Sequence, residues 1–170
     1  MARHHNISGE LTQELLTVGS NTSVSKISLT NIQKVSPCQV DLYIEKQLTG
    51  KFYLLKGVKL PIGATLMYDN IRFNNTAGEF GLYVKLTDGP TFTLTGSINV
   101  TGTNTNVPGT NTLYLSELSI GDEIVVSGET RTIATITSNT VATVSVAWGS
   151  DLADDTSPDC NPIALVDIIL

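Results

Sequence analysis

Thr, Val and Ile supply 51 of the 170 residues (23, 14 and 14). They come in short runs broken by Gly, Pro, Asn and Asp. A β-branched side chain loses rotamer freedom in a helix but packs well on a pleated surface. A chain so built is constrained to short strands joined by turns. Val40-Asp41-Leu42-Tyr43-Ile44-Glu45 alternates strictly and places Val40, Leu42 and Ile44 on one face. Val24 to Leu29, Phe52 to Leu55, Thr65 to Tyr68, Ile71 to Phe73, Leu82 to Leu86, Phe92 to Thr95 and Ser97 to Val100 read as further strands. Turns are expected at Leu48-Thr49-Gly50-Lys51, Lys59 to Gly63, Asn74 to Gly78 and Asp88-Gly89-Pro90. Glu10 to Leu16 is the one segment that reads as a helix, and it is too short to stand alone.

The second half has a sharper pattern. Ser119 to Asp122 is a turn, and Glu123 to Val126 a strand. Ser127-Gly128 falls where a two-residue hairpin loop belongs, and Glu129 to Ile136 returns. After a turn at Ser138-Asn139, Val141 to Val146 completes a three-stranded meander. The apolar end, Ile163 to Leu170, must pair inside a sheet or with another subunit, since an exposed β-rich edge promotes aggregation. The fold expected is all-β: an antiparallel β-sandwich or jelly-roll-like domain plus a small β-barrel or meander module.

Charge separates the two halves. Residues 1–90 carry nine cations and seven acids, a net of +2, whereas residues 91–170 carry Arg131 alone against nine acids, a net of −8. The Gly/Asn/Thr-rich stretch from Thr101 to Asn111 cannot bury a core by itself and reads as a loop or linker. The domains expected are therefore residues 1–100, an attachment sandwich, and residues 101–162, an acidic module. The strand in 163–170 is the candidate to complete the first.

The net charge of −6 and pI near 4.7 argue against a basic nucleic-acid reader. No apolar run approaches the ~18 residues of a membrane helix, and the start lacks a signal-peptide core. The two histidines, His4 and His5, sit at a terminus expected to fray, a poor place to organise a catalytic base. Ser127-Gly128 lacks the frame of a nucleophile elbow. A glycan depolymerase would need a carboxylate pair about 5–10 Å apart in a cleft. Neither a catalytic set nor a cofactor site is assigned.

Asp151, Asp154, Asp155 and Asp159 could collect calcium, but they lack the spacing of a known calcium loop and read as a solvated acidic loop. Cys38 and Cys160 read as idle thiols rather than a disulfide. The sequons at Asn21, Asn74 and Asn99 follow from an Asn/Thr/Ser-rich composition. Trp148 with Tyr43, Tyr53, Tyr68, Tyr83 and Tyr114 could form a sugar-stacking face. Packing at a sheet edge or subunit contact, with the hydroxyls at solvent, is the stronger expectation.

From Glu117-Leu118-Ser119-Ile120-Gly121-Asp122 through Gly128-Glu129-Thr130-Arg131-Thr132-Ile133 to Ile136-Thr137-Ser138-Asn139-Thr140, the order of turns resembles a small β module of tailed-bacteriophage structural proteins. That likeness covers about residues 100–150. Val40-Asp41-Leu42-Tyr43-Ile44, followed by the run from Phe52-Tyr53-Leu54-Leu55-Lys56-Gly57 through Leu60-Pro61-Ile62-Gly63 to Leu66, is similar to β-sandwich domains of phage capsid-associated, neck and tail proteins, notably those of cyanobacterial phages. In that family the sandwich often ends in a strand like Val166-Asp167-Ile168-Ile169, which implies that the second module is inserted in the first domain. The resemblance implies a non-enzymatic, multi-copy virion protein, a capsid decoration or neck/collar subunit assembled in the host cytoplasm. Its implied partners are capsid, neck or tail proteins and copies of itself, without nucleic acid or membrane. The alternative is a tail-fibre or baseplate module that binds a host-surface glycan. The −8 half would be repelled by packaged DNA and should face outward or toward a basic protein neighbour.

Overall fold

A computed structural model describes residues 3–46, 49–76 and 79–170. The strands are β1 (His4–Ser8), β2 (Thr12–Leu16), β3 (Ser23–Val24), β4 (Ile27–Asn31), β5 (Cys38–Lys46), β6 (Gly50–Leu60), β7 (Thr65–Tyr68), β8 (Phe73–Asn74) and β9 (Gly81–Thr87). They continue with β10 (Phe92–Thr93), β11 (Ser97–Val100), β12 (Asn106–Thr110), β13 (Glu123–Val126), β14 (Glu129–Ser138), β15 (Val141–Val144), β16 (Leu152–Asp155), β17 (Asp159–Asn161) and β18 (Leu165–Ile169). One four-residue helix, α1 (Tyr114–Glu117), interrupts them. The protein is all-β, with 55% of residues in strands and every described pairing antiparallel.

The chain divides into two compact units. The first comprises residues 1–33, 37–88 and 164–170, and the second residues 34–36 and 89–163. In the first, two four-stranded sheets, ordered β1-β18-β4-β7 and β2-β9-β5-β6, enclose one core. Ile7, Leu29, Val166 and Ile168 come from one sheet, and Leu15, Val40, Leu42, Leu82 and Val84 from the other. This is the two-sheet sandwich that strand alternation demands, one face of each sheet apolar. The last strand of the chain, β18, lies between β1 and β4. Hence the second unit is an insertion. The division falls between Asp88 and Gly89, ahead of the Thr101–Asn111 stretch where composition had suggested it.

Three local expectations are corrected. Glu10 to Leu16 is not helical, because Thr12–Leu16 pairs with β9. A register shift between Glu14 and Leu16 turns both Leu15 and Leu16 inward, so a bulge mimics helical spacing. The Thr101–Asn111 stretch is not all linker, since β12 lies between β11 and β15 with Val107 fully buried opposite Ala142. The N-terminus does not fray at the histidines, for His4 and His5 are opposite Ile169 and Ile168 in the β1–β18 ladder.

Other local chemistry matches the sequence. Ser127 and Gly128 have φ of 47° and 86°, the paired left-handed conformation of a two-residue hairpin turn between β13 and β14. In the bend after β6, Ala64 donates to the Pro61 carbonyl at 3.1 Å. Leu48 of the expected β5–β6 turn, and Ala77 and Gly78 of the turn after β8, lie outside the described residues. The second unit has its own core, in which Leu94, Ile98, Val107, Leu118, Ile124, Val126, Ile133 and Trp148 are buried. Its strands follow one another in the order β10-β17-β13-β14-β15-β12-β11-β16, with the expected meander at its centre.

Candidate functional site

Strand alternation in β5 sends Val40 and Leu42 into the sandwich and Tyr43 to the opposite face of the sheet. Register then aligns one residue from each of four strands: Glu14 on β2, Tyr83 on β9, Tyr43 on β5 and Tyr53 on β6. Tyr43 stacks on Tyr83 with centroids 5.6 Å apart and planes at 15°, and tilts against Tyr53 at 5.5 Å. The Tyr83 hydroxyl donates to Glu14 Oε1 at 2.9 Å. Lys51 Nζ lies 4.5 Å from the Tyr43 ring centre and Lys56 Nζ 4.7 Å from that of Tyr53. These cations sit where a ring quadrupole attracts them.

Gly81 belongs to this arrangement. A Cβ there would stand 2.7 Å from Cε2 of Tyr83, so the missing side chain gives the ring its place against the sheet. Partial burial, with Glu14 as hydrogen-bond acceptor and neighbouring charge, pushes the Tyr83 phenol up from its ordinary 10 to about 12. The contribution of this group to stability is therefore complete below pH 10 and is lost as pH rises through about 12. We expect tyrosinate absorbance to show late-titrating phenols, with Tyr83→Phe removing one and flattening the fall in stability over that window. An unchanged alkaline titration in Tyr83→Phe would contradict the assignment.

At the end of the ladder, β6 is the terminal strand of its sheet and eleven residues long. Phe52 and Tyr53 on it are 49% and 43% exposed. The strand carries Lys51, Lys56 and Lys59 and no acid. Beside it opens a cavity of about 280 Å³ whose lining includes Ile44, Leu54, Tyr68, Ile71 and Phe73, with Arg72. The tyrosines lie on the outer face of the sheet and the hollow on the core side of Ile44 and Leu54. The basic edge strand β6 borders both, which makes this edge the candidate site. Sequence reasoning identified the tyrosines singly. Their alignment depends on cross-strand register, which no local pattern reports.

The other sequence candidates take structural places. Trp148 is 1% exposed in the core of the second unit, with the Arg131 guanidinium 5.7 Å from its ring centre, so it offers no platform to a sugar. Arg131 also contacts Glu129 and donates from Nε to the Ala147 carbonyl at 3.0 Å. Tyr43 and Tyr114 are buried together with their hydroxyls, which, contrary to expectation, do not reach solvent. Burial of Tyr114 raises its phenol to about 12.

Three carboxylates of the acidic loop accept separate donors from other segments of the second unit. Asp151 Oδ1 takes the Gly102 N–H at 2.7 Å, Asp155 Oδ2 the Ser127 N–H at 2.5 Å, and Asp159 Oδ1 the Thr93 hydroxyl at 2.8 Å. Among the described residues, no group of three or more His, Cys, Asp or Glu gathers in metal-binding geometry. Cys38 and Cys160 are free, buried thiols in the first and second cores respectively. Burial and Asp88 raise Cys38 to about 11, and burial with Asp122 and Glu117 raises Cys160 further. No protein family matches the chain, and neither does any curated protein or solved structure.

Proposed function

We propose that this protein is a non-enzymatic structural component of a tailed-phage virion, a multi-copy capsid decoration or neck/collar subunit that works through protein–protein contacts. The observation that carries the reading is the eleven-residue terminal strand β6, with half-exposed Phe52 and Tyr53 beside an apolar hollow. A long terminal strand bearing aromatics is a template for pairing with another chain. An acidic inserted unit adds a second, differently charged surface. The phage assignment itself draws on the resemblances in the 117–140 and 52–66 segments.

Mass spectrometry of purified particles from the phage that encodes the chain tests this reading. The expected result is the protein at many copies per particle. Its absence from intact particles overturns the proposal. The host-glycan alternative has less support, because Trp148 is buried and lysines lie over the Tyr43 and Tyr53 rings.

A further inference from the structure

The β6 edge has a chemistry that selects its partner. Its three lysines have no acid among them in the strand. Nearby charges are mixed: Lys46 pairs with Glu79 at 3.3 Å, and Asp41 Oδ1 accepts the Gly57 N–H at 2.6 Å. Arg72 in the cavity lining adds a cation. Pairing β6 with β6 of another copy would bring two lysine-bearing strands together, and like charges directly opposite are destabilising. An acidic partner with an apolar projection fits better.

The second unit presents one. Between residues 89 and 163 there are eight acids, of which Asp122 is buried, and Arg131 alone among Lys and Arg. That arginine is engaged by Glu129. One corner of this unit is also apolar and well built. The Asn139 carbonyl accepts the Tyr114 N–H at 3.2 Å and the Thr112 hydroxyl at 2.6 Å, while its Oδ1 accepts the Leu115 N–H at 3.1 Å. These bonds hold α1 against the β14–β15 turn. Leu113, Leu115 and Val141, on the two segments so joined, are 42%, 57% and 47% exposed. Exposed apolar side chains on two hydrogen-bonded segments supply the apolar part of a contact surface.

We infer that copies of this protein associate head to tail: the Leu113–Leu115–Val141 corner of one copy's acidic unit seats on the β6 edge and adjoining cavity of the next. The contact is heterologous, so it propagates into a ring or a filament. This inference concerns self-association and rests on the protein-contact part of the proposed function, while the virion assignment is tested separately on particles.

Light scattering coupled to size exclusion, on the full chain, tests it. The wild type is expected to form oligomers at low ionic strength and to lose them in about 1 M salt, where the screening length is about 3 Å. The double variant Lys56→Glu/Lys59→Glu and the single variant Leu115→Asp each alter exposed positions. Each alone should weaken association on the order of tenfold or more, with far-UV circular dichroism unchanged. Mixed in equal amounts, they should form a heterodimer, because the lysine variant retains the corner and the leucine variant retains the edge. A monomeric wild type at low salt overturns the proposal and leaves the lysines as guards against edge pairing. Oligomers indifferent to both variants, or a mixture of the two that stays monomeric, overturn it equally. None of these failures bears on whether the protein is found in particles.

Discussion

A chain lacking Ala164–Leu170 is expected to lose the sandwich while keeping the inserted unit folded. Terminal residues usually tolerate removal, but these form a central strand, paired with β1 on one side and β4 on the other. Val166 and Ile168 are fully buried in the first core. Losing their burial costs about 3–6 kcal/mol, and the ladder partners of β1 and β4 vanish with them. Set against a total stability of about 5–15 kcal/mol, that burial alone takes a large share, and the unpaired backbone groups left on β1 and β4 take up the rest. The chain carries its own reporter, because Trp148 is the single tryptophan and belongs to the second core. The truncated protein should keep the blue-shifted emission of a buried indole and lose more than half of the strand signal in circular dichroism, since β1–β9 and β18 hold most of the strand residues. Its first unit should become sensitive to protease. A truncated chain with full strand content would show that β18 does not hold the sandwich together. Loss of Trp148 burial would show that the two units fold as one.

The same strand shows what could be read in the sequence. Ile163 to Leu170 had to pair somewhere, since its apolar β-branched residues could not be left at an edge. That it enters the first sheet, and so makes the second unit an insertion, needs the positions of β1 and β4, both over a hundred residues earlier. Strands with strict alternation or a diagnostic turn, such as β5 and the β13–β14 hairpin, were legible because pattern and turn chemistry are local. Strand β2 was not, because its bulge puts Leu15 and Leu16 on one side. Nor was β12, whose single inward apolar residue, Val107, is hidden among Thr, Asn and Gly. The tyrosine ladder depends on positions 14, 83, 43 and 53 meeting in register, and the basic edge on β6 being last in its sheet. Those are properties of topology, which composition constrains only as a class.

Asp122→Ala is expected to cost the inserted unit about 3–6 kcal/mol. Asp122 is fully buried, and its two oxygens divide their work. Oδ2 accepts the Ser119 N–H at 2.7 Å, shaping the turn that enters β13. Oδ1 accepts the Ile163 N–H at 3.0 Å, where the chain leaves the unit after β17. One carboxylate thus fastens the start of the meander to the exit of the insertion. A hydrogen bond to a charged group is worth about 1.5–3 kcal/mol, and alanine takes away both acceptors while leaving their donors in place. Asp122→Asn should recover little, since its amide nitrogen would face one of those N–H groups, donor against donor. The midpoint of denaturant unfolding followed by Trp148 emission reads the effect in this unit. A loss below about 1 kcal/mol in the alanine variant, the typical net worth of one ordinary hydrogen bond, would mean that other acceptors satisfy both N–H groups. A near-native asparagine variant would mean that a single acceptor holds the unit closed.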